Sequence, residues 1–366
     1  MHECSATPFL ILEQMYAWVM PRGPLLHADA DAFFASVALR SRPEDVNRPL
    51  VTAAHVIVTC ANYPARALGI HAAMLVGEAQ RLCPDLVVVD VPRSEIEEVG
   101  DALYDLFHEI VPGVEPGSIE EAFLDTSAMT WVEAEQAAAT LRERARRELG
   151  IAVSVGIGRT KLMAKLGSRA AKPDGLHVID PAREAELRLT LTPAQIWGVG
   201  ARTLARLTDL GVKELADLDG VPAAELDLTC GTGMARRLRQ IRAGTDDAVV
   251  RPVNQRSSFT AEGSTAGYAR ANKSPQELLE ECIAAVCHRA DRAGLAGSGL
   301  TLTLRLETGT AALTRKIAIA EASAAPQVWL AVGKQLLERE PVPHLSGLGV
   351  SLTGLLPLRQ VQGALF

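Results

Sequence analysis

Residues 25–30 alternate between apolar and polar positions and read as a β-strand. Residues 33–40 carry helical spacing and stop before Arg42-Pro43. An apolar strand region follows at 51–59, with the turn-like Ala53-Ala54-His55 inside it. Short helices are expected at 63–68 and 77–82, the second stopped by Pro84, and a β-branched strand at 86–91. Ile96, Val99, Leu103, Leu106 and Ile110 recur at helical spacing and predict a helix over 94–110. A strand carrying Glu120-Glu121, an Ala/Arg/Glu-rich helix at 131–149, a strand at 151–157 and a helix at 161–171 complete the first half. Lys172-Pro173-Asp174-Gly175 closes that last helix. From 192 to about 244 the pattern is all-helical and short-segmented, and 249–258 reads as a polar, extended linker. Beyond it lie a helix (275–293), an alternating strand (300–306), a strand (314–320), a helix (326–340) and a strand (348–352). Helices interleaved with mostly antiparallel strands predict an α+β, multidomain fold.

Composition narrows this picture. The 366 residues are 48% hydrophobic, enough for several cores, yet no apolar run reaches the roughly 20 residues of a membrane span. No membrane partner and a cytoplasmic location are therefore expected. The first 20 residues make a poor signal peptide, because no Lys or Arg precedes the apolar stretch and Glu13 and Gln14 interrupt it. Residues 1–23 are read as an extension, with Met20 as a candidate start. Cys4, Cys60, Cys83, Cys230, Cys282 and Cys287 form no CxxC pair and no zinc spacing, which implies reduced thiols. Charge is uneven. Against a net −7, residues 1–180 hold 16 basic and 25 acidic residues, whereas 251–356 hold 11 and 9. Any nucleic-acid contact must be local rather than spread over a basic surface.

The chemistry concentrates in two segments. Asp29 lies in Leu26-His-Ala-Asp-Ala-Asp-Ala-Phe-Phe34, and Glu120 with Glu121 in Ser118-Ile-Glu-Glu-Ala-Phe-Leu-Asp125. Burying such carboxylates unpaired costs several kcal/mol, a cost that a divalent cation removes. Two-metal phosphoryl transfer is the first reading. Acids that merely flank turns are the alternative. Tyr63 and Arg66 fall on one side of a helical turn, where a hydroxyl and a guanidinium make a fork for phosphate oxygens; an ordinary surface arginine is the alternative. Lys161 and Lys165 are four apart, and Lys165 sits in an apolar patch where an anion such as a triphosphate would serve it; snorkelling along the helix is the alternative. Gly156-Ile-Gly158 is not a phosphate-binding Walker loop, since no Gly-Lys-Ser/Thr follows. Ile196-Trp-Gly-Val-Gly-Ala-Arg202 has the helix-hairpin-helix pattern: Gly198 and Gly200 aim backbone N–H groups at a DNA phosphate. Cys230-Gly-Thr-Gly233 echoes it, and a plain αα-corner is the alternative. Finally, Gln362-Gly-Ala-Leu-Phe366 offers a polar anchor and two apolar plugs for a partner's groove.

Taken in order from about Leu25 to Phe366, these residues resemble a Y-family translesion DNA polymerase of the DinB, or polymerase IV, type. The resemblance implies a right-hand fold: palm (24–32 and 92–175), fingers (33–91), helix-hairpin-helix thumb (176–248), linker (249–258), a C-terminal little finger (259–356) and a clamp-binding tail (357–366). It implies two Mg²⁺ ions held by Asp29, Glu120 and the backbone carbonyl of Ala30, with Glu121 completing the catalytic acids; the longer Glu120 opens the site to Mn²⁺. It makes Phe34 the steric gate against a ribose 2′-hydroxyl. Tyr63, Arg66, Lys165 and Cys60 would meet the triphosphate, Gly198, Gly200 and Arg202 the DNA, and Gln362, Leu365 and Phe366 a replication sliding clamp. Asp31 matches the pattern in a structural role. The implied enzyme is a monomeric DNA-directed DNA polymerase of low fidelity, without proofreading, acting on primer-template DNA with dNTPs. Tethering to the clamp would offset the weak basic surface.

Three positions depart from the family pattern. Glu120 replaces the usual Asp, Cys60 replaces a threonine, and the segment from Pro49 to Thr59 is shorter than usual. Because Mg²⁺ demands near-ideal octahedral geometry, Glu120 leaves open a rival reading: a catalytically weak or inactive clamp-bound adaptor of the same fold. A helix-hairpin-helix binder without enzymatic action is a third, against which the Tyr63/Arg66/Lys165 set argues.

Overall fold

The alternating segment at the start of the pattern forms β1 (Leu25–Ala30), followed by α1 (Phe33–Arg40), β2 (Leu50–Ala54), β3 (Ile57–Ala61), α2 (Tyr63–Ala67), α3 (Val76–Leu82), β4 (Val87–Asp90) and α4 (Arg93–Ile110). Next come β5 (Val114–Pro116), β6 (Glu121–Leu124), α5 (Trp131–Arg144), β7 (Val153–Gly158), α6 (Lys161–Ala171), β8 (Leu176–Ile179) and α7 (Pro181–Thr190). Then follow α8 (Ala201–Asp209), α9 (Ala223–Cys230) and α10 (Thr232–Ala243). The C-terminal part contains β9 (Ser258–Ser264), α11 (Pro275–Arg292), β10 (Leu295–Leu306), β11 (Ala312–Ser323), α12 (Pro326–Glu338), β12 (Leu345–Thr353) and β13 (Leu356–Pro357). The computed structural model describes residues 23–246, 249–252, 257–268, 271–306, 312–339 and 345–358. The expected extension (to residue 22), part of the expected linker and the tail residues Gln362, Leu365 and Phe366 lie outside the described residues.

Three local expectations need correction. The region 51–59 is an antiparallel hairpin rather than one strand, because His55 takes a left-handed conformation (φ 55°) and reverses the chain. The helix expected at 131–149 ends at Arg144 and widens into a π-helical turn, Ala145–Leu149. Strands β8 and β9 are too short or too polar to announce themselves. Each exists by pairing, β8 parallel to β7 and β9 antiparallel to β12.

The chain folds as two compact units. The first takes residues up to Asp29, then Leu106–Ala145 and Ala152–Pro252. The second takes Ala30–Asp105, Arg146–Ile151 and the chain from Val253. In the first, a five-stranded sheet runs β5-β6-β1-β7-β8. One apolar cluster joins Leu162 and Met163 of α6 and Ile179 of β8 to Leu191, Leu207, Leu238 and Ile241. A boundary at 175/176 therefore cuts through both the sheet, which includes β8, and a continuous core. In the second unit, β3-β2-β4 form a small sheet, and β11-β10-β12-β9 form a larger one. On the larger sheet Leu279, Ile283 and Val286 of α11 and Trp329 and Leu336 of α12 pack with Leu300, Leu302, Leu304, Val350 and Leu352. That is the alternating pattern of one covered sheet face.

In the first unit α6 lies directly on β7. A Cβ on Gly156 would stand 2.0 Å from the Ala164 carbonyl oxygen and 2.0 Å from the Ser168 nitrogen, and one on Gly158 would stand 2.6 Å from the Ala164 nitrogen. Both glycines exist so that helix and strand can touch backbone to backbone. Gly156→Ala forces α6 off the sheet. It is expected to cost about 3 kcal/mol or to prevent folding, read as a lowered thermal unfolding midpoint.

Candidate active site

Strand β1 lies antiparallel to β6 with Asp29 opposite Glu121 and His27 opposite Phe123. Residues two apart on a strand share a face, so His27, Asp29, Glu121 and Phe123 line one side of the pair. Two carboxylates directly opposite each other destabilise a sheet unless a cation compensates them. Helix α6 supplies one and the residue just past its end supplies another. Lys165 Nζ is 2.5 Å from Glu121 Oε2 and Lys172 Nζ is 2.6 Å from Asp29 Oδ1. Lys161, the first residue of α6, pairs with Glu115 at 2.6 Å and stands 4.7 Å from the Phe123 ring centre.

His27 is completely buried, its ring 4.6 Å from that of Phe123. Nδ1 lies 2.7 Å from Ser168 Oγ, and Nε2 lies 3.2 Å from Lys165 Nζ and 3.5 Å from Glu121 Oε2. An ammonium can only donate, so Nε2 accepts from Lys165. Ser168 donates to the Lys165 carbonyl at 3.0 Å, which leaves its oxygen to accept Nδ1–H. Burial, the main cause, lowers the His27 pKa, and the ring is neutral. The Glu121 carboxyl is held down to about 2 by its contacts with the His27 ring and Lys165, against burial; with Nε2 accepting, the ring has no proton to give Glu121. Of the two, the full charge of Lys165 at 2.5 Å is the stronger physical cause.

Glu120 behaves differently. It precedes β6, and burial pushes its carboxyl up, with the Asp29 and Glu121 charges adding to the shift. No Lys or Arg pairs with it among the described residues. Ligand atoms of His27, Asp29 and Glu121 lie within 4.8 Å of one another. Both nitrogens of His27 are engaged, however, so the donors left for a cation are carboxylate oxygens. Oxygen donors of this kind fit Mg²⁺ or Mn²⁺, and the unpaired, destabilised charge of Glu120 is what an arriving cation would relieve.

Of the expected nucleotide residues, Phe34, Cys60, Tyr63 and Arg66 belong to the second unit and Lys165 to the first. Phe34, the second residue of α1, is half-buried, edge-on to Phe33 at 6.1 Å. Asn62 caps α2 by accepting from Ala65 N–H at 3.0 Å. Tyr63 and Arg66 do share one side of that turn, the guanidinium 5.1 Å from the ring centre. Buried Asp31 accepts the Tyr63 hydroxyl at 3.1 Å. Arg66 Nε is tied to the Ala61 carbonyl at 2.8 Å and the residue is otherwise exposed. Cys60 is half-buried on β3, beside this turn in sequence.

In the first unit, Gly198 takes a left-handed φ of 94° and Gly200 caps α8, so the loop turns tightly into a helix start as expected; Arg202 is exposed in its first turn. Arg237 of α10 donates to the Trp197 carbonyl at 2.6 Å and lies 4.4 Å from the indole centre, joining the two hairpins.

Two residues escaped the sequence reading. His27 sits two positions before Asp29, and strand periodicity alone places it on the same face. Lys172 is seven residues past Lys165, on the same helical face, and its signal was hidden by the helix-closing Pro173.

The impB/mucB/samB family model matches residues 28–169, and the model of that family's C-terminal domain matches residues 256–365. A DNA polymerase IV of Alkalilimnicola ehrlichii is 36% identical over 299 residues, 78% of this chain and 82% of that protein. A DNA polymerase IV of Halorhodospira halophila is 30% identical over 345 residues, 92% and 97% of the two chains. The crystal structure of DinB from Sulfolobus solfataricus shares the fold, with a TM-score of 0.64 at 23% identity over 90% of this chain and 98% of that one. The alternating β1 segment, the paired acids and the glycine-turned helices thus belong to a known lineage: the chain is a member of the impB/mucB/samB family, of the DinB type among Y-family DNA polymerases.

Proposed function

We propose that this chain adds deoxynucleotides to the 3′ end of a primer under direction of a template, with low fidelity and without proofreading, in translesion synthesis. The observation that carries the reading is the Asp29–Glu121 pair on facing strands, an arrangement of like charges that a sheet tolerates only with cations. When bound, two Mg²⁺ ions would activate the primer 3′-hydroxyl and neutralise the triphosphate. Asp29, Glu121, Glu120 and the Ala30 carbonyl are the oxygens that would hold them. Lys172 is half-exposed and paired with Asp29; a metal on Asp29 would release its ammonium to the phosphates. Tyr63, with Asp31 fixing its hydroxyl, and Arg66 form the phosphate fork. Cys60, beside that fork in sequence, offers the triphosphate a weaker hydrogen bond than a threonine would. The ring of Phe34 takes the space a ribose 2′-hydroxyl would need. Gly198 and Gly200 present backbone N–H groups to a DNA phosphate, with Arg202 adding charge. Positioning and charge neutralisation then supply most of the rate. The tail residues Gln362, Leu365 and Phe366 would dock on a sliding clamp, and the polymerase would act as a monomer. Nothing favours the adaptor reading, since all three acidic positions hold carboxylates.

Primer extension tests the reading. Asp29→Asn keeps the shape and removes the charge, and the rate is expected to fall at least about 1,000-fold; extension at the parent rate would refute the site. Phe34→Ala is expected to relax discrimination against ribonucleotides by on the order of 100-fold in kcat/KM, measured with matched dNTP and rNTP. Glu120→Asp shortens the acid that lacks a cation. The ratio of Mg²⁺-supported to Mn²⁺-supported rate is expected to rise, and an unchanged ratio would mean that Glu120 holds no metal.

A further inference from the structure

Lys165 has a place that its expected role does not explain. Its Nζ contacts Glu121 Oε2 at 2.5 Å and His27 Nε2 at 3.2 Å. Both partners come from the sheet of the same compact unit, and α6 is set against that sheet by the contact at Gly156 and Gly158. His27 is in turn oriented by Ser168, one turn along α6 from Lys165. The ammonium is thus bracketed by two acceptors mounted on rigid backbone, and its side chain is only 15% exposed. A lysine that grips a substrate phosphate needs a head free to reach it. Lys165, held between these two acceptors, is not so placed.

We propose that Lys165 is a positioning residue for Glu121, a resident cation that holds its Oε2, with His27 Nε2 holding the ammonium in place. Its value to synthesis rests on the polymerase reading; its effect on cation binding does not. Two consequences run in opposite directions. The fixed ammonium keeps Glu121 in one rotamer, which favours turnover. It also repels an incoming cation, which weakens metal binding.

Lys165→Met retains the stem and removes the charge. In nucleotide-free protein, Mn²⁺ titration followed by electron paramagnetic resonance is expected to show binding about tenfold tighter than in the parent. In primer extension, kcat is expected to fall on the order of 100-fold while KM for the dNTP moves by less than about threefold. His27→Phe, which keeps a ring and removes the acceptor, is expected to shift both readouts in the same directions by less. Lys165→Arg, which keeps the charge, is expected to leave Mn²⁺ affinity near that of the parent. A raised KM with kcat retained and Mn²⁺ affinity unchanged would make Lys165 a phosphate grip and overturn the proposal. Weaker Mn²⁺ binding with a lowered unfolding midpoint would reduce it to a packing role. A parent protein that binds Mn²⁺ but extends no primer would defeat the polymerase reading and leave the Mn²⁺ comparison standing.

Discussion

The site depends on one steric fact, the backbone-to-backbone contact of α6 with β7. Gly156 and Gly158 have no Cβ where one would strike Ala164 and Ser168, so the helix can lie directly on the strand. β7 neighbours β1 in the sheet. The contact therefore sets the distance from Lys165 and Ser168 to His27 and Glu121. A helix held one side-chain diameter further out would leave the facing acids without cations and the buried imidazole without either of its partners. The same helix contributes Leu162 and Met163 to the core beneath α8 and α10. One contact thus serves both the chemistry and the packing of the unit.

Electrostatics follows from that geometry. Like charges opposite each other on neighbouring strands are ordinarily selected against. Here they persist because each of the pair has an ammonium within 2.6 Å. The arrangement is preorganised in the sense that matters for catalysis: the charges are placed before substrate arrives, and little reorganisation is left for the reaction to supply. Glu120 stands outside this balance, pushed up by burial and by its acidic neighbours. It is the group with most to gain from a cation.

Legibility in the sequence varied with the physical origin of each feature. β1 and α1 begin and end where the pattern placed them, because alternation and helical spacing are local properties of the chain. α6 did too, bounded by the Thr160 cap and Pro173. The Tyr63/Arg66 pairing and the tight Gly198 turn were also readable, since each is decided within one helical turn. β8 and β9 were not, because a short or polar strand owes its existence to a partner far away in the chain. The turn-like Ala53-Ala54-His55 was visible, but the antiparallel pairing of the strands on either side of it was not.

The sequence by itself determined the elements with clear local periodicity, the identity of the acids and the family they belong to, all of which live in local spacing and ordered motifs. Only the tertiary structure decided which groups meet. It matched Asp29 with Lys172 and Glu121 with Lys165, and it turned His27 from a buried residue of a strand into the acceptor that holds an ammonium. Those partners lie between 44 and 143 positions apart in the chain. Nothing in local periodicity encodes such a distance; strand register and the glycine contact between α6 and β7 do.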